Sequence, residues 1–152
     1  MRKTAFTLVE ILIVVVILGI LAAIVIPQFT SASNDARQSG LASDLQTVRS
    51  QLQVYKTQHL ERWPSLKEDG TADTANFIAR MTGKTDSTGK INAAGVLGPY
   101  LMKWPTNPFA TSNQNTCNYG TAEPAPGDGT SGWYFNTTSG KLSCNDSANT
   151  GL

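Results

Sequence analysis

Hydrophobic and polar residues divide the chain into two parts of different character. Residues 6–29 are almost wholly apolar, and the run from Ile11 to Ile26 contains no polar side chain. As a helix that run rises about 24 Å, and extension to Phe6 and Phe29 brings the rise to about 36 Å. The hydrocarbon core of a bilayer is about 30 Å thick. The pattern therefore predicts a membrane-spanning helix over residues 6–29 and a soluble domain over residues 30–152.

A second helical pattern follows a polar patch at residues 30–34. Apolar residues recur there at the spacings that place side chains on one face of a helix, at Leu41, Leu45, Val48, Leu52 and Tyr55. The stripe is too short for a sustained coiled coil, so packing on the domain core is favoured over a partner helix. Trp63-Pro64 bounds the segment, because a residue before proline avoids the helical region. We predict a helix over residues 31–58.

The rest of the chain contains shorter patterns. Residues 74–81 (TANFIARM) predict a short helix capped by Thr74 or Asp73. His59, the one histidine, stands among polar residues near the end of the long helix. We predict that its side chain is solvated.

Three segments near the carboxy terminus predict strands. CNYG covers residues 117–120, and residues 133–135 and 141–144 flank a turn over residues 136–140. The two flanking segments therefore predict a hairpin. A long helix packed on a small antiparallel sheet indicates an α+β fold.

Charge and motifs exclude several classes of function. The chain has 12 Lys and Arg residues against 11 Asp and Glu, a net charge of +1, whereas nucleic-acid binders carry clustered positive charge. Arg2 and Lys3 precede the apolar segment, so the amino terminus should stay cytoplasmic and the domain should be exported. Phosphate loops, HExxH, GxSxG and CxxC motifs are missing from the sequence. We predict no enzymatic activity, no cofactor, no metal and no nucleic-acid partner.

A secretory signal and a plain signal anchor are the simpler interpretations of the apolar segment. A cleaved signal needs a small-residue site followed by a polar mature start, yet Ala22-Ala23 is followed by Ile24-Val25-Ile26. A plain anchor fits better, but it gives no reason for Glu10. A charge at the centre of a membrane helix costs about 2.5–3.5 kcal/mol. The sequence offers no Lys or Arg between Lys3 and Arg37 to offset it.

The segment AFTLVEILIVVVILGILAAIVIPQF resembles the amino-terminal motif of type IV pilins and type II secretion pseudopilins. The resemblance implies cleavage between Ala5 and Phe6 by a prepilin peptidase and methylation of the new amine on Phe6. Residues 1–5 are then the leader peptide. In the family the residue before the cut is usually glycine, and the alanine here leaves slower or absent processing as an alternative.

The resemblance also implies roles for three residues of the helix. The freed α-amine is largely cationic at neutral pH, and Glu10 lies where the helix dipole favours a carboxylate. Glu10 would pair with the amine of a neighbouring subunit and set the axial register of a filament. Gly19 and Pro27 bound a stretch that can lose helical form in related filaments, and Pro27 is predicted to kink one long helix.

PYLMKWPTNPF and GWYFNTTSGKL resemble segments of the major, G-type pseudopilins. The resemblance implies a subunit that leaves the inner membrane for a helical homopolymer, with other pseudopilins or minor pilins and an inner-membrane assembly platform as partners. The filament would drive protein export. A type IV pilus subunit for adhesion, motility or DNA uptake is the first alternative, and a membrane-anchored binding module that does not polymerise is the second.

Two features of the carboxy-terminal part remain open. Cys117 and Cys144 would lie in an oxidising compartment, which favours a disulfide over free thiols. Such a bond would stabilise the fold by roughly 3–4 kcal/mol. The family's calcium loop would fall near Asn145 and Asp146, where too few oxygen ligands are visible for a calcium site.

Overall fold

The computed structural model describes residues 7–152 and has an α+β fold. Helix α1 covers Leu8–Gln58, a 3-10 turn covers Thr74–Asn76, and α2 covers Phe77–Thr82. Strands β1, β2 and β3 cover Cys117–Gly120, Asp128–Asn136 and Leu142–Asp146. The chain divides into two compact units, Met1–Ser39 and Gly40–Leu152, and the boundary falls within α1.

The predicted stripe on the second half of α1 forms one wall of the core of the Gly40–Leu152 unit. Its members are at most 2% exposed: Leu41, Leu45, Val48, Leu52 and Tyr55. They pack with Phe77, Trp133, Phe135 and Leu142. Full burial of a leucine or phenylalanine side chain contributes about 1.5–3 kcal/mol. The prediction of core packing is confirmed, and α1 ends at Gln58 as the pattern indicated.

The sheet is mixed rather than wholly antiparallel, which corrects the sequence prediction. β2 and β3 form the predicted hairpin, with Trp133 opposite Cys144. β1 lies on the other side of β2 and runs parallel to it, with Cys117 opposite Trp133. Parallel neighbours need a connection of about a dozen residues or more. Residues 121–132, which include the first part of β2, carry the chain back along the sheet before that pairing begins.

The short helical segment differs from its prediction at the start. A 3-10 turn precedes α2, and the Asp73 side chain makes no capping bond. Its carboxylate instead binds Arg80 Nη2 at 2.7 Å and accepts from the Asn76 amide. The Asn76 bond and then the Arg80 guanidinium lower the pKa of Asp73, although burial opposes them. Arg80 also donates to the carbonyls of Pro64 and Gly89, so this ion pair closes the loops around α2.

His59 is buried, which makes the prediction of a solvated side chain wrong. It is 1% exposed and its ring stacks on Tyr55 with centroids 3.8 Å apart. Nδ1 donates to the Tyr55 carbonyl at 2.8 Å, because a carbonyl can only accept, and Nε2 contacts Thr85 Oγ1 at 2.9 Å. His59 lies four residues after Tyr55, so it continues the buried stripe by one helical step.

Three Asp-x-Thr turns of the Gly40–Leu152 unit, two in loops and one at the start of β2, are held by local side-chain bonds. In each turn the threonine amide and hydroxyl both donate to Oδ1 of the aspartate, at distances of 2.6–3.0 Å. These bonds lower the pKa values of all three carboxyl groups. The turns are Asp69–Thr71, Asp86–Thr88 and Asp128–Thr130. Local side-chain bonds of this kind replace backbone ladders in loops.

Gly140→Ala should destabilise the fold more than Gly70→Ala. Both glycines have left-handed backbones, with φ of 72° and 82°. A Cβ at Gly140 would overlap the six-membered ring of Trp63, whereas a Cβ at Gly70 would meet no heavy atom within 4 Å. Gly70→Ala should lower the free energy of unfolding by about 1–2 kcal/mol. Gly140→Ala should lower it by about 2–5 kcal/mol.

Thermal unfolding of the full chain in detergent, followed by near-ultraviolet circular dichroism, compares the two variants. Equal destabilisation would contradict the packing of Trp63 on Gly140.

Candidate functional site

Glu10 lies in a capping box at the start of α1. Thr7 precedes the helix, and its amide and hydroxyl both donate to Glu10 Oε2 at 2.8 Å. The Glu10 amide in turn donates to Thr7 Oγ1 at 3.2 Å. Reciprocal bonds between an N-cap threonine and a glutamate three residues later are the signature of this motif. Thr7 was not among the predicted residues, although its Thr-x-x-Glu spacing to Glu10 is the sequence signal of a capping box.

The capping box satisfies hydrogen bonds of Glu10 without neutralising its charge. An amide and a hydroxyl are neutral donors, and a carboxylate away from water is stable only when a cation or several strong donors face it. In the sequence no Lys or Arg lies between Lys3 and Arg37. A charged partner for Glu10 must therefore come from the amino-terminal end of a chain or from another molecule.

The first part of α1 exposes an apolar surface. Its large apolar side chains between Leu8 and Phe29 are 42–82% exposed, with Val25 and Leu8 at the two limits. This helix is long and apolar enough to cross a membrane. Such a surface is unfavourable in water by about 25 cal/mol per Å². Lipid or other protein must cover it.

Of the other residues predicted for this site, the structure describes Gly19 and Pro27. Ala5 and Phe6 lie outside the described residues. Gly19 lies within α1, and an added Cβ there would meet nothing within 4 Å, so contacts of its own chain give no reason for glycine. Pro27 lies inside α1, which continues on both sides of it. Since proline has no N–H, the Ala23 carbonyl receives no helical bond from residue 27.

Comparisons with known proteins give a consistent assignment. Residues 1–26 match the family model described as the prokaryotic N-terminal methylation motif. The type II secretion system core protein G of Pseudomonas aeruginosa is 33% identical over 113 residues, which cover 74% of this chain and 72% of that protein. The chain belongs to the type II secretion core protein G family.

Two further relatives show how far the likeness extends. The core protein G of Pectobacterium carotovorum is 37% identical over 113 residues, 74% of this chain and 66% of that protein. The type IV narrow pilus major component PilA5 of Thermus thermophilus is 44% identical over 50 residues, 33% of this chain and 43% of that protein. No solved structure gives a significant match.

The two cysteines of this family member are free thiols, not the expected disulfide. Cys117 on β1 and Cys144 on β3 both lie opposite Trp133 on the central strand. Adjacent strands are about 4.8 Å apart, so the two Cα atoms are separated by about 9–10 Å. A disulfide needs Cα atoms within about 7 Å. The position of β2 between β1 and β3, which the sequence pattern did not indicate, is what separates them.

The residues at the family's calcium loop do not fit a cation. Asp146 directs both carboxylate oxygens at amide groups, those of Asn107 at 2.8 Å and Asn149 at 2.6 Å. A calcium ion needs six to eight oxygen ligands, whereas an amide NH₂ group offers only hydrogen. Residues 7–152 contain no group of three or more His, Cys, Asp or Glu side chains placed to hold one ion.

Neither thiol should react in the native protein. Burial raises the pKa of Cys117 far above its usual range and that of Cys144 to about 12, with Asp146 adding to the latter shift. Because the thiolate is the reactive species, iodoacetamide at pH 8 should leave both unmodified in the folded chain. After denaturation without reductant, intact-mass analysis should show two alkylated cysteines.

A Ser87→Cys variant supplies an exposed thiol as the matched control, and it should gain one label in the native state. If denatured wild-type chain reacted only after reduction, the two cysteines would be bonded and the strand pairing of β1 would be wrong.

Proposed function

We propose that this chain is the major subunit of a type II secretion pseudopilus, with a leader over residues 1–5, a filament-core helix over residues 6–29 and a soluble domain over residues 30–152. The observation that carries the proposal is the exposed apolar surface of α1 with a carboxylate, Glu10, in the first turn of the helix. The role is structural, and no chemical step is assigned to the subunit.

The apolar surface can be covered in two ways, and the subunit uses both in turn. In the inner membrane, lipid covers it, with Arg2 and Lys3 keeping the amino terminus cytoplasmic and the domain periplasmic. In the filament, the same segments of neighbouring copies pack together. Helices packed in this way exchange lipid contacts for side-chain contacts, so cohesion comes from close packing over many subunits.

Glu10 gives the packed helices their register. Removal of the leader before Phe6 creates an α-amine, which is a cation of the kind that Thr7 cannot supply. In an apolar bundle an unpaired carboxylate is costly, so a subunit gains stability only where its Glu10 meets the amine of an adjoining copy. Methylation of Phe6 keeps that positive charge.

Assembly then requires other proteins. A prepilin peptidase removes the leader and methylates Phe6, an inner-membrane platform extracts the subunit, and further pseudopilins share the filament. The methylation motif over residues 1–26 and the likeness to type II secretion core proteins G support these proposed partners.

Secretion is favoured over a type IV pilus by two observations. The matches to the core proteins G of Pseudomonas aeruginosa and Pectobacterium carotovorum each cover 74% of this chain, against 33% for the pilus component. Cys117 and Cys144 are free thiols on separate strands, so they give no support to a pilin stabilised by a carboxy-terminal disulfide. The filament therefore serves protein export rather than adhesion.

Processing is the first test. Protein purified from membranes of cells that contain the cognate peptidase should have lost residues 1–5 and gained one methyl group, as read by intact-mass analysis. An Ala5→Gly variant serves as the control for cleavage efficiency, since glycine is the usual residue before the cut. A chain that keeps its leader and still forms filaments would contradict the proposal, and one that keeps its leader and remains in the membrane would support an anchored binding module.

The second test separates the charge of Glu10 from its capping bonds. Glu10→Gln keeps a side-chain acceptor for Thr7, since glutamine also completes a capping box, but it removes the charge. Loss of a desolvated charge pair costs about 2–5 kcal/mol, so the yield of sheared filaments should fall at least about tenfold.

Asp35→Asn is the matched control. It removes a carboxylate from the same helix but outside the apolar segment, and filament yield should stay near wild type. If Glu10→Gln assembled as well as wild type, the capping box alone would account for Glu10 and the intersubunit pair would be wrong.

A further inference from the structure

Four buried polar side chains join three separate parts of the Gly40–Leu152 unit. Asn107 precedes β1, Asn145 and Asp146 end β3, and Asn149 lies in the turn that follows. Each is at most 4% exposed. Asp146 also lies opposite Asp128 in the register of the hairpin. A buried carboxylate such as that of Asp146 requires a cation or several hydrogen-bond donors.

Amide groups supply those donors. Asn107 Nδ2 donates to Asp146 Oδ2 at 2.8 Å, and Asn149 Nδ2 donates to Asp146 Oδ1 at 2.6 Å. Asn145 Nδ2 donates to Asp128 Oδ1 at 2.8 Å. Three asparagines thus face two carboxylates with N–H groups.

The backbone determines which way two of these amides point. Asn107 Oδ1 accepts from the Phe109 amide at 2.9 Å, and its Nδ2 also donates to the Gly132 carbonyl at 2.9 Å. Rotation of this side-chain amide by half a turn would place its NH₂ group against the Phe109 N–H. It would also place its oxygen against the Gly132 carbonyl and the Asp146 carboxylate. Asn107 therefore cannot turn its oxygen toward Asp146.

Asn145 is held in the same manner. Its Oδ1 accepts from the Gly127 amide at 3.1 Å, and its Nδ2 also donates to Ser131 Oγ at 2.9 Å. A rotated Asn145 would place its NH₂ group against the Gly127 N–H. Asn145 therefore presents only N–H groups to Asp128. The side-chain oxygens of Asn107 and Asn145 cannot serve as cation ligands beside the carboxylates.

We propose that this asparagine–aspartate network takes the place of calcium in the carboxy-terminal loop, so that the subunit folds and stays folded without the cation. A cation there would face amide hydrogens where it needs oxygen. The proposal concerns the folded subunit and does not rest on the filament assigned above. Its test needs no assembly, so either proposal can fail alone.

The first measurement uses the full wild-type chain in detergent. Its Tm should be the same after exhaustive chelation with EGTA and after addition of excess calcium chloride. A ligand present at 100 times its Kd would stabilise a protein by about 2.7 kcal/mol, which is a shift of several degrees in a chain of this size. A rise of that size with calcium, reversed by EGTA, would overturn the proposal.

The second measurement uses Asn107→Asp. This change keeps the acceptor for the Phe109 amide but replaces the donor to Asp146 and Gly132 with a second carboxylate. In EGTA the Tm should fall by on the order of 5–10 °C. Calcium should restore part of that loss, because the variant presents two carboxylates to one site.

Asn92→Asp is the matched control. Asn92 is exposed and uses its side-chain oxygen to accept from the Ala94 amide, so the same substitution there keeps the bond. Its Tm should lie within about 1 °C of wild type in either condition. If Asn107→Asp were as stable as Asn92→Asp in EGTA, the amide network would not hold the loop and the proposal would be wrong.

Discussion

An uncovered apolar helix that carries one carboxylate is the constraint on which the rest of this molecule depends. Within residues 7–152, the large apolar side chains between Leu8 and Phe29 are exposed, and the bonds described for the Glu10 carboxylate come from the neutral donors of Thr7. The apolar surface is unfavourable in water, and the unpaired carboxylate becomes unfavourable once that surface is covered. In the proposed filament, packing between copies of the helix would cover the apolar surface and place an amino terminus beside each carboxylate. The exposed apolar surface and the Glu10 carboxylate therefore both favour assembly with other subunits.

The Gly40–Leu152 unit differs from the first part of α1, because it buries its own large apolar side chains in a core. The stripe on the second half of α1 packs under the sheet, and Trp133 on the central strand lies between the two cysteines in register. The central position of β2 keeps the two thiols apart, and both are buried in the same core cluster as Trp133. No covalent bond is needed to hold β1, since β2 already pairs with it along all four residues.

Hydrogen bonds and ion pairs between polar side chains stabilise this unit where other small domains use metals or disulfides. The three Asp-x-Thr turns each satisfy an aspartate locally, and the Asp73–Arg80 pair closes the loops around α2. At the carboxy-terminal end, asparagines face the carboxylates of Asp128 and Asp146. Buried networks of this kind are stable only when every donor and acceptor is matched, which makes each asparagine a specific requirement of the fold.

The amino-acid sequence by itself determined the apolar helix, the place of Glu10, the stripe from Leu41 to Tyr55, and the β2–β3 hairpin. Each of these is a local pattern, since helical and strand periodicities are read from neighbours a few residues apart. The Thr7 capping box and the burial of His59 were equally local and could have been predicted. Only the tertiary structure decided the parallel pairing of β1, the separation of Cys117 from Cys144, and the contact of Asn107 with Asp146. Those depend on strand order and on residues dozens of positions apart, and periodicity carries no information about which distant segments meet.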